Sequence, residues 1–421
     1  MKRRILTLLS LATFWGASAE TIDECQLLAK QNYPLVKRYE LLQQTENFTL
    51  ANIGRGWWPQ IGFSAQGTWQ SAVPELPDAL LKMLQQTGTT VKGIDKLQYR
   101  ATLDLQQNIY DGGTMAAQRR ITRATADVEE AATDMQLYAL RDRICNLSFG
   151  VLLLDKQLLL NEELQRTLCT NLQRVQTLLE GGVAMQSDAD ALSAELATAR
   201  QQQIGLNAQR EGLLKVLSLF TGKEITNIEA TPVTTHATLR PELNFYTHRE
   251  ALIDAREKAL TARLRPHIGL FAQGYYGYLG MNMFRDMMER TPTLNALAGI
   301  RASWNLSAFY THKNERHKLA LERETIRNDR EVFLFNQRLQ SAQEDSETAR
   351  YRRLMDEDDK ICTLRRRVRE ASEAKLTAGI IDISTLVQDM ARENQANINR
   401  SLHEVQMLWS QYKQQIIKGE E

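Results

Sequence analysis

The chain has 421 residues, of which 43% are hydrophobic and 24% charged, and its formal net charge is +1. This composition is typical of an ordered protein and excludes a largely disordered chain. With 52 basic and 51 acidic residues, the chain lacks the basic surplus of nucleic-acid-binding proteins, so we expect no nucleic-acid partner.

Residues 1–19 have the three-part pattern of a secretory signal peptide. A basic start at Lys2 precedes an apolar run, and Ala17-Ser-Ala19 offers small residues for cleavage. The apolar run is shorter than the roughly 20 residues that a membrane-spanning helix needs, so an N-terminal anchor is the less favoured alternative. We expect the mature chain to begin at Glu20.

The first half of the mature chain begins with a predicted helix over residues 21–52, which Pro34 should bend. Two segments then alternate apolar and polar residues with period two. This alternation predicts strands over about 57–73 and 98–111, each with one apolar and one polar face. We expect a loop over residues 74–97 to join them.

A stretch without proline, residues 114–180, carries an apolar heptad series and predicts a coiled-coil-like helix. At 1.5 Å per residue, its roughly 67 residues span about 100 Å, which is far more than a compact domain. Gly181 and Gly182 end this helix, and a second predicted helix returns over about 187–220.

The second half of the chain follows the same order. A helix that ends near residue 263 precedes predicted strands over 264–278 and 297–306. A proline-free helix over about 310–377 comes next. Gly379 breaks it, and a last helix runs to about residue 417.

The two halves are therefore interpreted as a duplication. Six of nine positions agree between residues 59–67 and 266–274, at an offset of 207 residues. This offset is too long for a solenoid unit, whose period is about 20 to 50 residues. We divide the mature chain into two structural repeats, residues 20–230 and 231–421.

Four amphipathic strands cannot bury their apolar faces against long helical rods, so we expect those faces to contact lipid. Such strands with aromatic ends are typical of membrane β-barrels. A barrel must close, and four strands are too few, so closure needs several chains. The predicted lumen-facing residues are Arg100, Asp104 and Arg301. The predicted interface aromatics are Trp57, Trp69, Tyr276 and Trp304.

The order of several short motifs resembles the TolC-like outer-membrane efflux protein family, over essentially the whole mature chain. These motifs are Ala29-Lys-Gln-Asn-Tyr-Pro34, Pro59-Gln-Ile61, Asn108-Ile-Tyr-Asp-Gly-Gly113, Leu219-Phe-Thr-Gly222 and Arg240-Pro-Glu-Leu243. The resemblance implies a mixed fold, a membrane β-barrel plus a long α-helical coiled-coil barrel. In that family three chains form one 12-stranded barrel, and their helices form a hollow cylinder across the periplasm.

The resemblance also implies a function and a location. The chain would be a homotrimeric exit duct in the outer membrane of a Gram-negative bacterium, in contact with outer-membrane lipid and extending into the periplasm. It would serve a tripartite efflux or type I secretion pump, with a periplasmic adaptor and an inner-membrane transporter of the RND or ABC type. A periplasmic adaptor and a structural coiled-coil protein of the envelope are the alternatives, and neither explains four alternating strands.

The sequence contains no catalytic constellation, so we expect no enzyme, no cofactor and no metal site. The six histidines are interpreted as solvated or packing residues; His312 and His317 are five residues apart, which is not the helical metal-binding spacing. Cys169 and Cys362 fall at similar heights in the two halves, so a disulfide and buried free thiols both stay open.

The last candidate site is a pore constriction after the two glycine turns, Gly181-Gly182 and Gly379. The resemblance implies acidic rings there, although Thr385 and Gln388 stand where the best-studied relatives have aspartate. The acids that follow the turns closely are Asp188, Asp190, Asp382 and Asp389. Their alternative roles are helix caps and solvated turn residues.

Overall fold

The computed structural model describes residues 19–182, 184–231 and 240–419. The signal peptide predicted over residues 1–19 falls outside the described part except for its last residue, and so does His236. In chain order the elements are β1 (Glu20–Thr21), α1 (Ile22–Asn32), α2 (Lys37–Arg55), β2 (Gln60–Trp69), α3 (Asp78–Gln86), β3 (Leu97–Tyr110), α4 (Thr114–Glu180), α5 (Gln186–Thr221), β4 (Ile228–Glu229), α6 (Pro241–Ala262), β5 (His267–Tyr278), α7 (Met283–Glu289), β6 (Thr293–Ser303), α8 (Ala308–Thr377) and α9 (Ile383–Lys418).

The chain folds into two compact units, and each unit draws on both sequence repeats. The helical unit comprises Met1–Tyr39, Ala131–Phe245 and Asp329–Glu421, whereas the sheet unit comprises Glu40–Glu130 and Tyr246–Asn328. The sequence repeats, 20–230 and 231–421, are thus divisions of the sequence that do not coincide with the packed units.

The first predicted helix is interrupted at the proline that the sequence marks. Thr21 begins α1 with a capping box, in which its hydroxyl accepts from the Glu24 amide and the Glu24 carboxylate accepts from the Thr21 amide. Helix α1 ends at Asn32, and a 3₁₀ turn over Pro34–Val36 separates it from α2. Proline causes this break because it has no amide hydrogen to donate to the preceding turn.

The two longest helices end at glycines in a left-handed backbone conformation. Helix α4 has 67 residues and α8 has 70. Gly182 follows α4 with φ of +74°, and Gly379 follows α8 with φ of +69°. Residues with a Cβ are disfavoured at such angles, which is why glycine closes both helices. Among the described residues, no helix combines the length and apolarity that crossing a membrane requires.

The described residues of the helical unit form two apolar clusters. The first includes Phe149, Leu217 and Tyr412 and lies next to a short parallel pair of β1 and β4. The second, here called the turn cluster, joins α4, α5 and α9. Its buried members are Leu168, Val175, Ala189, Leu192, Leu196, Ala199, Ile383, Leu386 and Met390. Because residues just after both glycine turns belong to this one cluster, the two turns lie at the same end of the unit.

The sheet unit is built around four antiparallel strands in the order β2-β3-β5-β6. The loop expected over residues 74–97 contains a short helix, α3, and a second short helix, α7, lies between β5 and β6. The last strand begins at Thr293 instead of near Leu297. In the described part of the chain, β2 and β6 are edge strands, each hydrogen-bonded to one neighbouring strand. Unpaired edges are templates for pairing with another chain.

Candidate functional site

The sheet has one apolar face, and the strand register keeps it apolar from edge to edge. Ile61 lies opposite Leu105, which lies opposite Ala272. The next rows along the strands repeat the pattern with Phe63 and Leu103. Phe63 is 75% exposed and Ile300 is 72% exposed. An apolar surface of this extent marks an interaction with a membrane or a partner.

The opposite face is polar, and it carries the three residues expected to face a lumen. Arg100 lies opposite Gln66, and Asp104 lies opposite Gln273, whose side-chain amide donates to the Asp104 carboxylate at 2.6 Å. Arg301 on β6 pairs with Gly269 on β5, which pairs with Asn108 on β3. Asn108 is on the same face of β3 as Arg100 and Asp104, so Arg301 lies on this face too. The register therefore brings Arg100, Asp104 and Arg301 to one surface.

The four aromatics expected at a membrane interface lie near the two ends of the strands. Trp69 ends β2 at the loop end, and Tyr276 lies on the apolar face of β5 near the same end. Trp57 precedes β2, and its carbonyl accepts from the Gln107 side chain. Trp304 follows β6 and donates its indole N–H to the Leu264 carbonyl at 2.9 Å. Two aromatic levels separated by one strand length are the arrangement found in membrane barrels.

The acids after the glycine turn between α4 and α5 make local hydrogen bonds. The Asp188 carboxylate accepts from the Met185 amide at 2.9 Å, in the first turn of α5. Asp190 is exposed and accepts from the Gln186 side chain at 2.9 Å. Carboxylates at this position are also favoured by the positive end of the helix dipole.

The two acids after the glycine turn between α8 and α9 lie in different environments. Asp382 is exposed and caps α9, accepting from the Thr385 hydroxyl at 2.7 Å and the Thr385 amide at 2.9 Å. The hydrogen bonds from Thr385 lower the pKa of the Asp382 carboxyl below its usual value. Asp389 is buried instead, and it accepts from the Ser372 hydroxyl at 2.7 Å. The four acids therefore do not share one surface of the chain.

A cluster of charged side chains near the second turn was not anticipated from the sequence. Arg369 on α8 forms ion pairs with Glu373, at 2.7 Å, and with Glu393 on α9. Asn171 on α4 donates to Glu373 at 3.3 Å. The only sequence signal was the basic run Arg365-Arg-Arg367, which by itself reads as a solvated helix face.

The cysteines are unpaired: Cys25, Cys145 and Cys362 are buried, and Cys169 is exposed. Burial raises the pKa of the Cys25 thiol to about 11 and that of Cys145 to about 12. These thiols are therefore inert at neutral pH. Over the described ranges, no group of three or more His, Cys, Asp or Glu side chains could hold a metal ion.

Comparison with protein families identifies the first half of the chain. Residues 28–223 match the model of the family described as outer membrane efflux protein. This match agrees with the family resemblance that the motifs carry. Comparison with curated proteins gives no match.

Solved structures extend the similarity of fold over the whole chain. The outer-membrane channel OprN is 14% identical, with a TM-score of 0.66, and the match covers 94% of this chain and 89% of that one. The outer membrane protein VceC from Vibrio cholerae is 10% identical, with a TM-score of 0.66 and coverage of 95% and 96%. The open-state MtrE channel of Neisseria gonorrhoeae is 12% identical, with a TM-score of 0.61 and coverage of 94% and 88%. The predicted fold class, barrel strands plus long helices, is confirmed.

Proposed function

We propose that the chain is the outer-membrane exit duct of a tripartite efflux or type I secretion pump, and that three copies form one 12-stranded barrel. The observation that carries this proposal is the four-stranded sheet, which has an exposed apolar face, a polar face and two open edges. Lipid covers the apolar face, water in a lumen solvates the polar face, and strands of neighbouring copies hydrogen-bond to the two edge strands. In this proposal the chain conducts passively and catalyses no reaction.

The partners in this proposal are a periplasmic adaptor and an inner-membrane transporter of the RND or ABC type. The turns between α4 and α5 and between α8 and α9 support contact with another protein, since a large apolar side chain is exposed at each. Met185 is 73% exposed beside the first turn, and Ile380 is 70% exposed in the second. The outer-membrane lipid contacts the apolar face of the sheet, and no nucleic acid takes part.

The alternatives from the sequence explain fewer observations. A periplasmic adaptor or a structural coiled coil would use the long helices, but it would leave the apolar face of the sheet in water. Removing such a face from water is worth about 25 cal/mol per Å² of apolar area. An exposed face of this kind would therefore promote aggregation unless lipid or protein covered it.

The decisive experiment measures trimer assembly and channel conductance on the same protein. Protein extracted from the outer membrane in mild detergent should cross-link to a trimer and should form open channels in planar bilayers. A protein that stays monomeric in detergent, or that gives trimers without conductance, contradicts the proposed duct.

The narrow end of the duct is formed, in this proposal, by the acids after the two helical turns. Asp190 and Asp382 are exposed and Asp188 is partly buried, so copies related by three-fold symmetry can bring these three acids together. Like charges in such a ring favour cation binding. Asp389 is buried against Ser372, and its contribution to a ring requires that this pair separate.

Neutralisation tests the acidic ring. The triple variant Asp188→Asn, Asp190→Asn and Asp382→Asn should weaken block of the channel by Mg²⁺ in planar bilayers. Asp389→Asn is the comparison variant, because it changes the same charge at a buried position. Unchanged Mg²⁺ block in the triple variant would leave the three acids as helix caps and surface groups only.

A further inference from the structure

The polar face of the sheet carries two aromatic rings of β5, Phe271 and Tyr275, and the strand next to Phe271 leaves room for its ring. Phe271 on β5 lies directly opposite Gly299 on β6. A Cβ at position 299 would lie 3.0 Å from two atoms of the Phe271 ring. The ring therefore lies against the backbone of the neighbouring strand, in space that a Cβ at position 299 would crowd.

An arginine covers this ring. The Arg301 guanidinium carbon lies 4.8 Å from the centre of the Phe271 ring, within the range of a cation–π contact. A guanidinium stacked by its face keeps the N–H groups at its edge available for hydrogen bonds. The stack thus fixes the position of Arg301 while leaving its donors available. The name aromatic–arginine pair is used below for Phe271 and Arg301.

The donors of Arg301 face no carboxylate in the described part of the chain. The arginines of the helices in the same unit behave differently: Arg256 pairs with Glu322 at 2.8 Å, and Arg316 pairs with Glu257 at 2.9 Å. Arg301 is exposed, and its guanidinium contacts the Phe271 ring. A positioned guanidinium without a carboxylate is available to a soluble anion.

The charges of the four strands favour the same kind of ligand. Apart from His267, the charged residues in β2, β3, β5 and β6 are Arg100, Asp104 and Arg301. Two arginines against one aspartate leave each chain's polar face with a positive excess. Three chains around one lumen would triple this net positive charge, and a pore whose lining has a net charge concentrates ions of the opposite sign.

We propose that the aromatic–arginine pair is a binding site for amphiphilic organic anions that pass through the barrel. Arg301 takes the carboxylate or sulfonate through its edge donors, and Phe271 contacts the apolar part of the same molecule. This inference rests on the proposed function, because it requires that the polar face line a conducting lumen. It adds a class of transported compound, organic anions with an apolar or aromatic body.

Ion selectivity of the reconstituted trimer provides the first test. Reversal potentials are measured in planar bilayers across a KCl gradient at low ionic strength, where screening is weak. Arg301→Gln should shift the permeability ratio of K⁺ to Cl⁻ toward K⁺ by about twofold or more. Arg256→Gln is the matched control, because it removes the same charge from a helix, and it should leave the ratio unchanged.

Block by a defined aromatic anion provides the second test. 1-Naphthoate should reduce the current through the unsubstituted channel, and its apparent affinity should fall about tenfold in Arg301→Gln, the usual effect of losing a charge-assisted hydrogen bond. Acetate, which has no apolar body, should block weakly in every variant. Arg301→Lys should preserve ion selectivity but weaken naphthoate block, since lysine keeps the charge and loses the planar stack. Phe271→Leu should weaken naphthoate block and leave the permeability ratio unchanged.

The outcomes separate this inference from the proposed duct. A conducting trimer that 1-naphthoate blocks equally well before and after Arg301→Gln would overturn the binding site while leaving the duct intact. An unchanged permeability ratio in that variant would overturn the anion preference. Failure of the unsubstituted protein to form conducting trimers would overturn the proposed function and this inference together.

Discussion

The sheet and the turn cluster place the same kinds of side chain in opposite environments. In the turn cluster, Leu192 and Leu386 are fully buried where α4, α5 and α9 meet. In the sheet, Ile61 and Ile300 are 69% and 72% exposed within one chain. Burial of apolar area stabilises a fold wherever water is excluded, by protein or by lipid. The comparison teaches that the turn cluster buries its apolar residues within the chain, whereas the apolar face of the sheet must be covered by lipid or by another protein.

The largest expected effect is in the turn cluster. Leu192→Ala should destabilise the helical end by about 3–5 kcal/mol, because it removes buried contacts and leaves a cavity among helices that cannot fully collapse. The measurement is protease resistance of the helical turns against urea concentration, in detergent-solubilised protein.

Ile204→Ala is the matched control on the same helix, since Ile204 is 71% exposed. It should change the urea midpoint little. Equal losses from the two variants would contradict the distinction between a buried and an exposed side of α5.

The next effect concerns the apolar face of the sheet. Ile300→Arg should cost about 2–4 kcal/mol per chain if the site lies near the bilayer midplane, because the guanidinium must enter hydrocarbon. The amount of cross-linkable trimer in outer-membrane fractions should fall. A fall in trimer would show that the exposed apolar face of the sheet contacts lipid.

Gln66→Arg is the control on the polar face, where Gln66 is exposed opposite Arg100. It should assemble normally. Thr102, which alternation alone would offer as a second control, is buried and is unsuitable. Comparable losses from Ile300→Arg and Gln66→Arg would mean that the inside and outside faces are assigned wrongly.

These two regions also differ in how far the sequence predicted them. The strands were predictable because alternation with period two needs no knowledge of other segments, and Arg100, Asp104 and Arg301 fell on one face as expected. The helical turns were predictable from glycine. Burial of Asp389 was not, because it depends on Ser372, which belongs to another helix.

The helices inside the sheet loops were missed for a related reason. Helices α3 and α7 have 9 and 7 residues, too few for a helical period to stand out from a turn-rich segment. Phe271 was visible only as an interruption of the polar face. Its partners, Gly299 and Arg301, lie on the neighbouring strand, so the pair needs the register and not the sequence pattern.

A smaller effect is expected from backbone strain at the second helical turn. Gly379→Ala should cost about 1–2 kcal/mol, because alanine is disfavoured at the φ of +69° found there. Gly62→Ala in the sheet is the control, since a Cβ at position 62 would meet no atom within 4 Å. Protease cleavage at the turn should increase for the first variant only. Increased cleavage after Gly62→Ala as well would show that the sheet tolerates added atoms less well than its open surface indicates.

The smallest expected effect is the pH dependence of the cap on α9. Hydrogen bonds from Thr385 and Ser384 lower the pKa of Asp382, so this carboxylate stabilises the helix start at neutral pH. Because the folded pKa lies below the unfolded one, the contribution is fully present above about pH 4, the usual pKa of an aspartate, and is lost as pH falls through the folded pKa. Hydrogen exchange of the Thr385 amide should therefore accelerate on acidification, after correction for the intrinsic exchange rate.

Asp382→Asn keeps a side-chain oxygen as the cap acceptor and should remove the pH dependence, whereas the Thr385 amide of Asp382→Ala should exchange fast at every pH. A protection at Thr385 that persists unchanged below the folded pKa would show that packing of Ile383 and Leu386 in the turn cluster fixes the start of α9 without help from Asp382.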